Sequence, residues 1–143
     1  MALSASAAAG FTRGRWGTVA SRFRDADDPA AVPEWFRAFG RSSAEPEGEW
    51  AILTVKPGAN TGPDGAAQAP RVDVSVFARG LPKRAVTRVY FADEAAANGQ
   101  DPALACVTDP SARGTLLAKR TGDGYRFDIR LQGEGETVFF FVD

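Results

Sequence analysis

Apolar and polar residues alternate with a period of two along much of the second half of the chain. Valine alternates with polar residues at 71–76, and large apolar side chains alternate with charged ones at 125–131. Successive side chains of a strand point to opposite faces, so both segments predict half-buried strands, and 125–131 gives the clearest strand in the sequence. Residues 50–55 are almost wholly apolar and stop at Pro57-Gly58, which predicts a strand covered on both faces.

Further segments complete an all-β pattern. β-Branched and aromatic residues predict strands at 86–91, at 115–119 and at 137–142, the last with three consecutive phenylalanines. The Ala-rich stretch 93–98 predicts one or two helical turns closed by a glycine, and the Gly-rich stretch 58–70 predicts a long loop that is too poor in bulky residues to pack by itself. Short strands with little helix predict an all-β fold, an antiparallel β-sandwich or barrel.

The N-terminal quarter lacks this alternation. Asp and Pro residues at 25–33 predict a solvated loop, as does the stretch 42–48, while the aromatic-rich residues 34–39 fit either a short helix or an irregular packed strand. We therefore expect an irregular or incomplete N-terminal segment at 1–33 and a β-sandwich domain at 34–143. The Ala- and Arg-rich start superficially resembles a transit peptide, but a chain that begins inside a longer coding frame explains it better.

Length and composition narrow the classes of function. A chain of 143 residues suits one domain, and 17 basic against 18 acidic residues leave no basic field for nucleic acid. The absence of histidine excludes imidazole metal ligands and histidine-based catalysis. The single cysteine, Cys106, cannot form an internal disulfide, which fits a cytoplasmic setting. No apolar run approaches the roughly 20 residues that span a bilayer, so no membrane is expected as a partner.

Several residues with reactive side chains fit ordinary structural roles. The stretch 133–136 carries two glutamates and leads into a strand, so it predicts a tight turn and not a phosphate loop. Asp93 and Glu94 are adjacent, and adjacent side chains point apart, so we expect solvated charges and not a carboxylate pair. Cys106 lies among apolar residues without nearby cations, which predicts a small buried side chain and not a reactive thiolate.

Basic residues stand out at three further places. Lys83-Arg84 and Lys119-Arg120 are short pairs of a kind that decorates loop ends and needs no ligand. Arg79 follows an apolar run and precedes Gly-Leu-Pro, which puts a guanidinium at the end of a strand beside a turn. Such a group can present a planar fork to a carboxylate, although periodicity alone favours a structural ion pair.

Eight short segments, in order and at suitable spacings, carry a family resemblance. They are FGR at 39–41, EW at 49–50, VKPG at 55–58, FARG at 77–80, TRVYF at 87–91, DE at 93–94, LLAKR at 116–120 and YRFDIRLQGEGETVFF at 125–140. Together they resemble the α chains of the protocatechuate 3,4-dioxygenases, from about Phe36 to the end of the chain. The resemblance implies the β-sandwich of the intradiol dioxygenases.

The resemblance also implies a reaction and a partner. Intradiol dioxygenases of this kind are assemblies of α and β chains that open the ring of protocatechuate between its two hydroxyls. They use O2 and a non-haem ferric ion, form 3-carboxy-cis,cis-muconate and serve the β-ketoadipate route of aromatic breakdown. The expected partner of this chain is therefore a catalytic β subunit, with protocatechuate bound at the interface between the two.

The residues that would hold iron are replaced. In catalytic chains of the family two tyrosines and two histidines bind the ferric ion, and the histidine positions match Arg71 and Asp73 here. The loop that carries one tyrosine matches 58–70, which has none, and the earlier tyrosine matches Trp16 or Phe11. None of these side chains completes the set, so Fe(3+) is expected in the partner β chain and not in this one.

Two hypotheses follow. By the resemblance this is a non-catalytic α-type subunit, shortened at its N-terminus because the family's Thr-x-Gly-Pro-Tyr segment is missing. Arg79, in the FARG motif, is the one substrate-binding residue that the resemblance carries over, and no catalytic or metal-binding residue is expected. The alternative is a degenerate β-sandwich binding or assembly module without dioxygenase activity.

Overall fold

A computed structural model describes residues 39–44, 48–122 and 124–141, together with the backbone of 2–6 and 20–22. The predicted loop at 25–33 lies outside the described residues, as do most of the aromatic stretch 34–39 and the two candidate positions Trp16 and Phe11. The division into 1–33 and 34–143 stays a prediction, although two strands lie in the first of these segments.

The described chain forms nine strands and three short helices. The strands are β1 (Ala2–Ser6), β2 (Ala20–Arg22), β3 (Glu49–Leu53), β4 (Asn60–Thr61), β5 (Ala67–Gln68), β6 (Arg71–Val76), β7 (Ala85–Phe91), β8 (Leu117–Thr121) and β9 (Gly124–Arg126). The helices are α1 (Ala95–Asn98), α2 (Pro102–Ala105) and α3 (Pro110–Gly114), all between β7 and β8. No helix among these residues is long and apolar enough to cross a membrane.

The sheet brings two groups of strands face to face. Seven strands follow the order β2-β6-β7-β8-β9-β1-β3, and β4 pairs with β5 in a separate hairpin. In a flat sheet β7 and β3 would lie about 19 Å apart, four strand spacings. Lys56, three residues beyond β3, nevertheless holds its Nζ 5.2 Å from the ring centre of Phe91 on β7, so the sheet curls and its two halves pack on each other. The predicted all-β sandwich is confirmed, with two parallel pairings, β7–β8 and β1–β9, among the antiparallel ones.

The core fills the space between these halves. Its buried members come from β3, β6, β7, β8 and the chain from β9 onward: Trp50, Ile52, Val72, Val74, Val76, Val89, Phe91, Ala118, Tyr125, Phe127 and Ile129. A smaller cluster lies beneath the helical connection and contains Ala69, Tyr90, Leu104 and Leu116. The valines of β6 are buried and its polar residues are half-exposed, as the alternation predicted.

The strand at 50–55 differs from its prediction. Trp50 and Ile52 are buried, but Ala51 is exposed and Leu53 is 74 % exposed. The described chain supplies a second layer to only one face of β3, so the prediction that both faces are covered is wrong for these residues. Apolar side chains on the outer face of a strand instead mark surface that another molecule can cover.

Other elements are shorter or longer than the sequence indicates. Beyond β9 the burial of alternate side chains continues to Ile129, but the pairing ends at Arg126. The last predicted strand makes a single bridge, Val86 to Phe140. The loop 58–70 contains the β4–β5 hairpin, in which backbone hydrogen bonds replace the bulky side chains that the segment lacks, with Gly62 N–H donating to the Ala66 carbonyl at 2.8 Å.

Candidate functional site

Arg79 lies on the tight turn that follows β6. The N–H of Leu81 donates to the carbonyl of Ala78 at 3.2 Å, and Gly80 has φ of 88°, a conformation that favours glycine. The Arg79 side chain is exposed, and none of the described residues forms an ion pair with it. A bracing salt bridge, the structural explanation that periodicity favoured, is therefore not present among these residues.

The segment around Arg79 is both apolar and basic. We call residues 77–84 the β6–β7 turn. Phe77 is 44 % exposed and Leu81 is 38 % exposed, and Lys83 and Arg84 are exposed as well. Large apolar side chains beside three cations, with no acidic residue in the segment, give a surface suited to an acidic or carboxylate-bearing partner.

The positions that match the family's histidines hold an ion cluster. The Nε of Arg88 lies 3.3 Å from Oδ1 of Asp73, and the Nε of Arg71 lies 3.6 Å from the same oxygen. Nη1 of Arg71 also donates to the amide oxygen of Asn60 at 3.5 Å. Cross-strand register explains the geometry, because Asp73 is directly opposite Arg88 on β7.

This cluster does not fit a ferric ion. The one carboxylate, Asp73, is already paired with two guanidiniums, and arginine offers donors only and no lone pair to a metal. No group of three or more Cys, Asp or Glu side chains in the described part of the chain could hold a metal. The chemistry that a ferric ion supplies is therefore not assigned to these residues.

A second cluster links the core to the helical connection. Nζ of Lys56 lies 2.5 Å from Oε1 of Glu94 and 3.3 Å from Oδ2 of Asp93, and the Tyr125 hydroxyl donates to that Asp93 oxygen at 2.7 Å. Arg120 approaches the same carboxylate at 3.5 Å. The prediction that Asp93 and Glu94 are separate solvated charges is wrong, because a turn between β7 and α1 aims both at one ammonium group.

The electrostatics of this cluster follow from its hydrogen bonds. The bond from Tyr125, and then that from Lys56, lower the pKa of Asp93 below its ordinary value. Partial desolvation opposes the charged form of Lys56, but hydrogen bonds to Glu94, Tyr125 and Asp93 outweigh it and raise its pKa. The cluster therefore has a structural role: its hydrogen bonds join the segment after β3 to the start of the helical connection and to β9, and each of its charged groups has a partner.

Asp101 is a buried residue that the sequence analysis did not single out. It is 1 % exposed and caps α2 by accepting from the N–H groups of Ala103 and Leu104. Its other acceptor contacts come from the Tyr90 hydroxyl at 3.1 Å and the Ala69 N–H at 2.9 Å. Burial raises the pKa of Tyr90 to about 12, so it donates as a neutral phenol. The Asp-Pro pair at 101–102 was the available signal, since Asp favours the N-cap and Pro the first helical position.

Three smaller predictions have mixed outcomes. Cys106 is exposed, so its predicted burial is wrong; it caps the end of α2 at the surface, where neighbouring apolar residues do not cover it. The turn at 133–136 is confirmed, with both glutamates exposed and positive φ at both glycines. Lys119 and Arg120 lie within β8 and not at a loop end, so they point to opposite faces of the sheet.

Solved structures share the fold of this chain. The chain superposes on the dioxygenase domain of a dioxygenase carbohydrate-binding protein fusion from Streptomyces sp. SirexAA-E with a TM-score of 0.58 and 19 % identity, covering 96 % of this chain and 79 % of that one. It superposes on chlorocatechol 1,2-dioxygenase from Pseudomonas putida with a TM-score of 0.50 and 13 % identity, covering 90 % and 57 %. The all-β sandwich is that of the intradiol dioxygenases.

Sequence similarity indicates the relatives of this chain more specifically than the fold does. The chain is 50 % identical over 110 residues to the protocatechuate 3,4-dioxygenase alpha chain of Pseudomonas putida, covering 73 % of this chain and 55 % of that one. It is 42 % identical over 130 residues to the alpha chain of Burkholderia cepacia, covering 86 % and 63 %. No protein-family model matches it. The chain is a homologue of the protocatechuate 3,4-dioxygenase α chains and spans a little over half of their length.

Proposed function

We propose that the chain is a non-catalytic α-type subunit of a protocatechuate 3,4-dioxygenase. In this proposal a β-type partner holds the ferric ion and cleaves protocatechuate with O2 to 3-carboxy-cis,cis-muconate, and this chain forms one wall of the substrate pocket in a cytoplasmic complex. The names of two relatives support the subunit type. The side chains of Arg71 and Asp73 offer iron no site, which supports the assignment of the iron to the partner chain.

Exposed apolar surface supports a partner chain. Leu53 on β3 and Phe77 and Leu81 on the β6–β7 turn are large apolar side chains that the described chain leaves in solvent. Burying such side chains in an interface stabilises it by about 1.5–3 kcal/mol for each side chain that becomes fully buried. The partner we propose is the iron-bearing β chain, because the relatives are named as α chains of a two-chain enzyme type.

Arg79 is the residue on which the pocket role depends. It is exposed at the tip of the β6–β7 turn, has no acidic partner among the described residues, and stands in the FARG motif that the resemblance places at the pocket. A guanidinium held there would bind the carboxylate that distinguishes protocatechuate from catechol. Such a charge-assisted hydrogen bond contributes about 1.5–3 kcal/mol.

The test is Arg79→Met in the complex with a β-type chain. We expect kcat/KM for protocatechuate to fall by about 10- to 150-fold, because the loss of one charge-assisted bond in the transition state appears directly in that ratio. Catechol, which has no carboxylate, should be turned over as before. Arg84→Met is the matched control, since it removes another exposed cation from the same turn.

Three outcomes separate the possibilities. Selective loss on protocatechuate with an unchanged melting temperature supports the pocket role. Equal loss on both substrates, or a lowered melting temperature, means that Arg79 stabilises the complex and does not bind substrate. Unchanged activity on both substrates removes Arg79 from the site, while leaving the subunit assignment to be decided by whether the two chains copurify.

A further inference from the structure

A cleft of about 330 Å³ lies beside β8 and β9, away from the β6–β7 turn. Its lining includes Lys119 from β8 and Arg126, Asp128 and Arg130 from β9 and the chain after it, and the turn 133–136 contributes Gly135. The volume is at the lower end of the range of small-molecule sites, which suits a ligand of a few atoms to about a dozen. The charged lining residues carry three positive charges and one negative charge.

Strand register places two of these cations directly opposite each other. Lys119 pairs with Arg126 across the antiparallel β8–β9 ladder, so their side chains leave the sheet on the same face about 5 Å apart at Cβ. Like charges in this position repel and destabilise the sheet. Asp128 offsets one of them, with its Oδ1 3.3 Å from Nε of Arg126. The Lys119 ammonium forms no ion pair within the described part of the chain.

The third cation is held in place by the backbone. Arg130 donates from Nη1 to the carbonyl of Glu134, and its own N–H donates to Oγ1 of Thr137 at 2.9 Å. Thr137 in turn is 2 % exposed. Arg130 is therefore fixed at one end of the cleft, with the Lys119–Arg126 pair further along the same face of the chain. A preorganised cation loses less entropy on binding an anion than a freely moving one.

We propose that this cleft binds a small dianion, a phosphate or a short dicarboxylate, which relieves the repulsion between Lys119 and Arg126. Both ligands have the same relevant chemistry, two negative charges on oxygen acceptors. The site is independent of Arg79 and of the proposed α-subunit function.

The test is thermal melting of the full chain in sodium phosphate or in sodium succinate, against sodium chloride of equal ionic strength. A ligand that binds the folded state raises the melting temperature with a saturable dependence on its concentration. Phosphate also stabilises proteins in general by exclusion from their surfaces, but that effect is common to all variants. The comparison between variants therefore isolates the cleft.

Three variants should respond in different directions. Lys119→Gln is expected to weaken dianion binding by about two- to fivefold, the effect of one partly exposed charge pair. Asp128→Asn is expected to tighten it by a similar factor, because it removes the anion that competes for Arg126. Arg41→Gln, which removes an exposed cation outside both the cleft and the β6–β7 turn, should leave binding unchanged. In chloride alone, Lys119→Gln should melt at or above the wild-type temperature.

Each result decides the proposal. Saturable stabilisation by phosphate alone identifies a compact oxyanion site, and stabilisation by succinate alone identifies a dicarboxylate site. A lower melting temperature of Lys119→Gln in chloride would mean that the lysine stabilises the fold. That result, the same response in all variants, or no saturable stabilisation by either anion would overturn the proposal.

Discussion

Asp101 is a buried side chain whose hydrogen bonds cannot be lost without a large decrease in the free energy of unfolding. Its carboxylate accepts four bonds, of 2.9 to 3.1 Å, from the Tyr90 hydroxyl and from the N–H groups of Ala69, Ala103 and Leu104. It joins the segment after the β4–β5 hairpin, strand β7 and helix α2 at one point. We predict that Asp101→Ala destabilises the chain severely.

The magnitude follows from the donors that the substitution would leave unpaired. The bonds from Tyr90 and Ala69 are buried, and each abandoned donor costs about 1–3 kcal/mol. Loss of the helix cap adds about 0.5–2 kcal/mol. The expected total is about 2.5–8 kcal/mol, which lowers the melting temperature of a domain of this size by roughly 8–25 °C.

Asp109→Ala is the matched control. Asp109 also caps a helix ahead of a proline, but it is exposed and accepts a single bond, from the N–H of Ser111 at 3.0 Å. Its loss should cost about 0.5–1 kcal/mol. Thermal melting of both variants, prepared in the same way, gives the comparison.

A second substitution checks the mechanism. Tyr90→Phe removes the hydroxyl that Asp101→Ala would leave unpaired, so the double variant should be less destabilised than the sum of the two single ones. Melting temperatures of Asp101→Ala and Asp109→Ala within about 3 °C of each other, or strictly additive single effects at Tyr90 and Asp101, would mean that the buried bonds to Asp101 do not stabilise the fold as proposed.

Three further predictions concern the pH dependence of stability, the reactivity of Cys106 and the binding of iron. The pKa of Asp93 is lowered in the folded chain, so its stabilising contribution is present above its ordinary value of 3.8 and is lost as the pH falls through the folded value. From pH 6 to pH 3, melting temperatures should therefore fall less in Asp93→Asn than in the wild type, and Glu136→Gln should follow the wild type. Exposed Cys106 should react with a thiol reagent in the native chain at a rate close to that in urea, and strong protection would contradict its position. The chain purified without a partner should be colourless and bind no stoichiometric ferric ion, which iron analysis and visible absorption measure.

The parts of the fold that could be predicted are those where side-chain alternation and burial coincide. Strand β6 was predicted correctly because its valines face the core and its polar residues do not. Helices α2 and α3 were missed because each is only one turn long, and their signals are Asp-Pro pairs rather than a periodic apolar face. The prediction that both faces of the strand at 50–55 are covered was wrong because an apolar residue on an outer face, such as Leu53, cannot be told in the sequence from one in the core.

The candidate site was predictable only in part, for a different reason. Arg79 was singled out through the FARG motif, and its exposed position at a turn agrees with the expected strand end, while its role in binding substrate stays a prediction. The Lys56 cluster brings together residues up to 69 positions apart, from Lys56 to Tyr125, and local spacing contains no signal for such contacts. The pairing of Lys119 with Arg126 depends on the register between β8 and β9, which the sequence does not fix by itself.

Co-expression with a β-type chain that carries the two tyrosines and two histidines tests whether this chain is an α-type subunit. The measurement is protocatechuate oxidation by the copurified material, with iron counted per chain. We expect the chains to copurify, iron to be equimolar with the β-type chain, and ring cleavage to be lost when this chain is omitted. A chain that stays apart from the β-type chain, or a β-type chain equally active without it, would rule out the α-subunit assignment and favour a binding or assembly module.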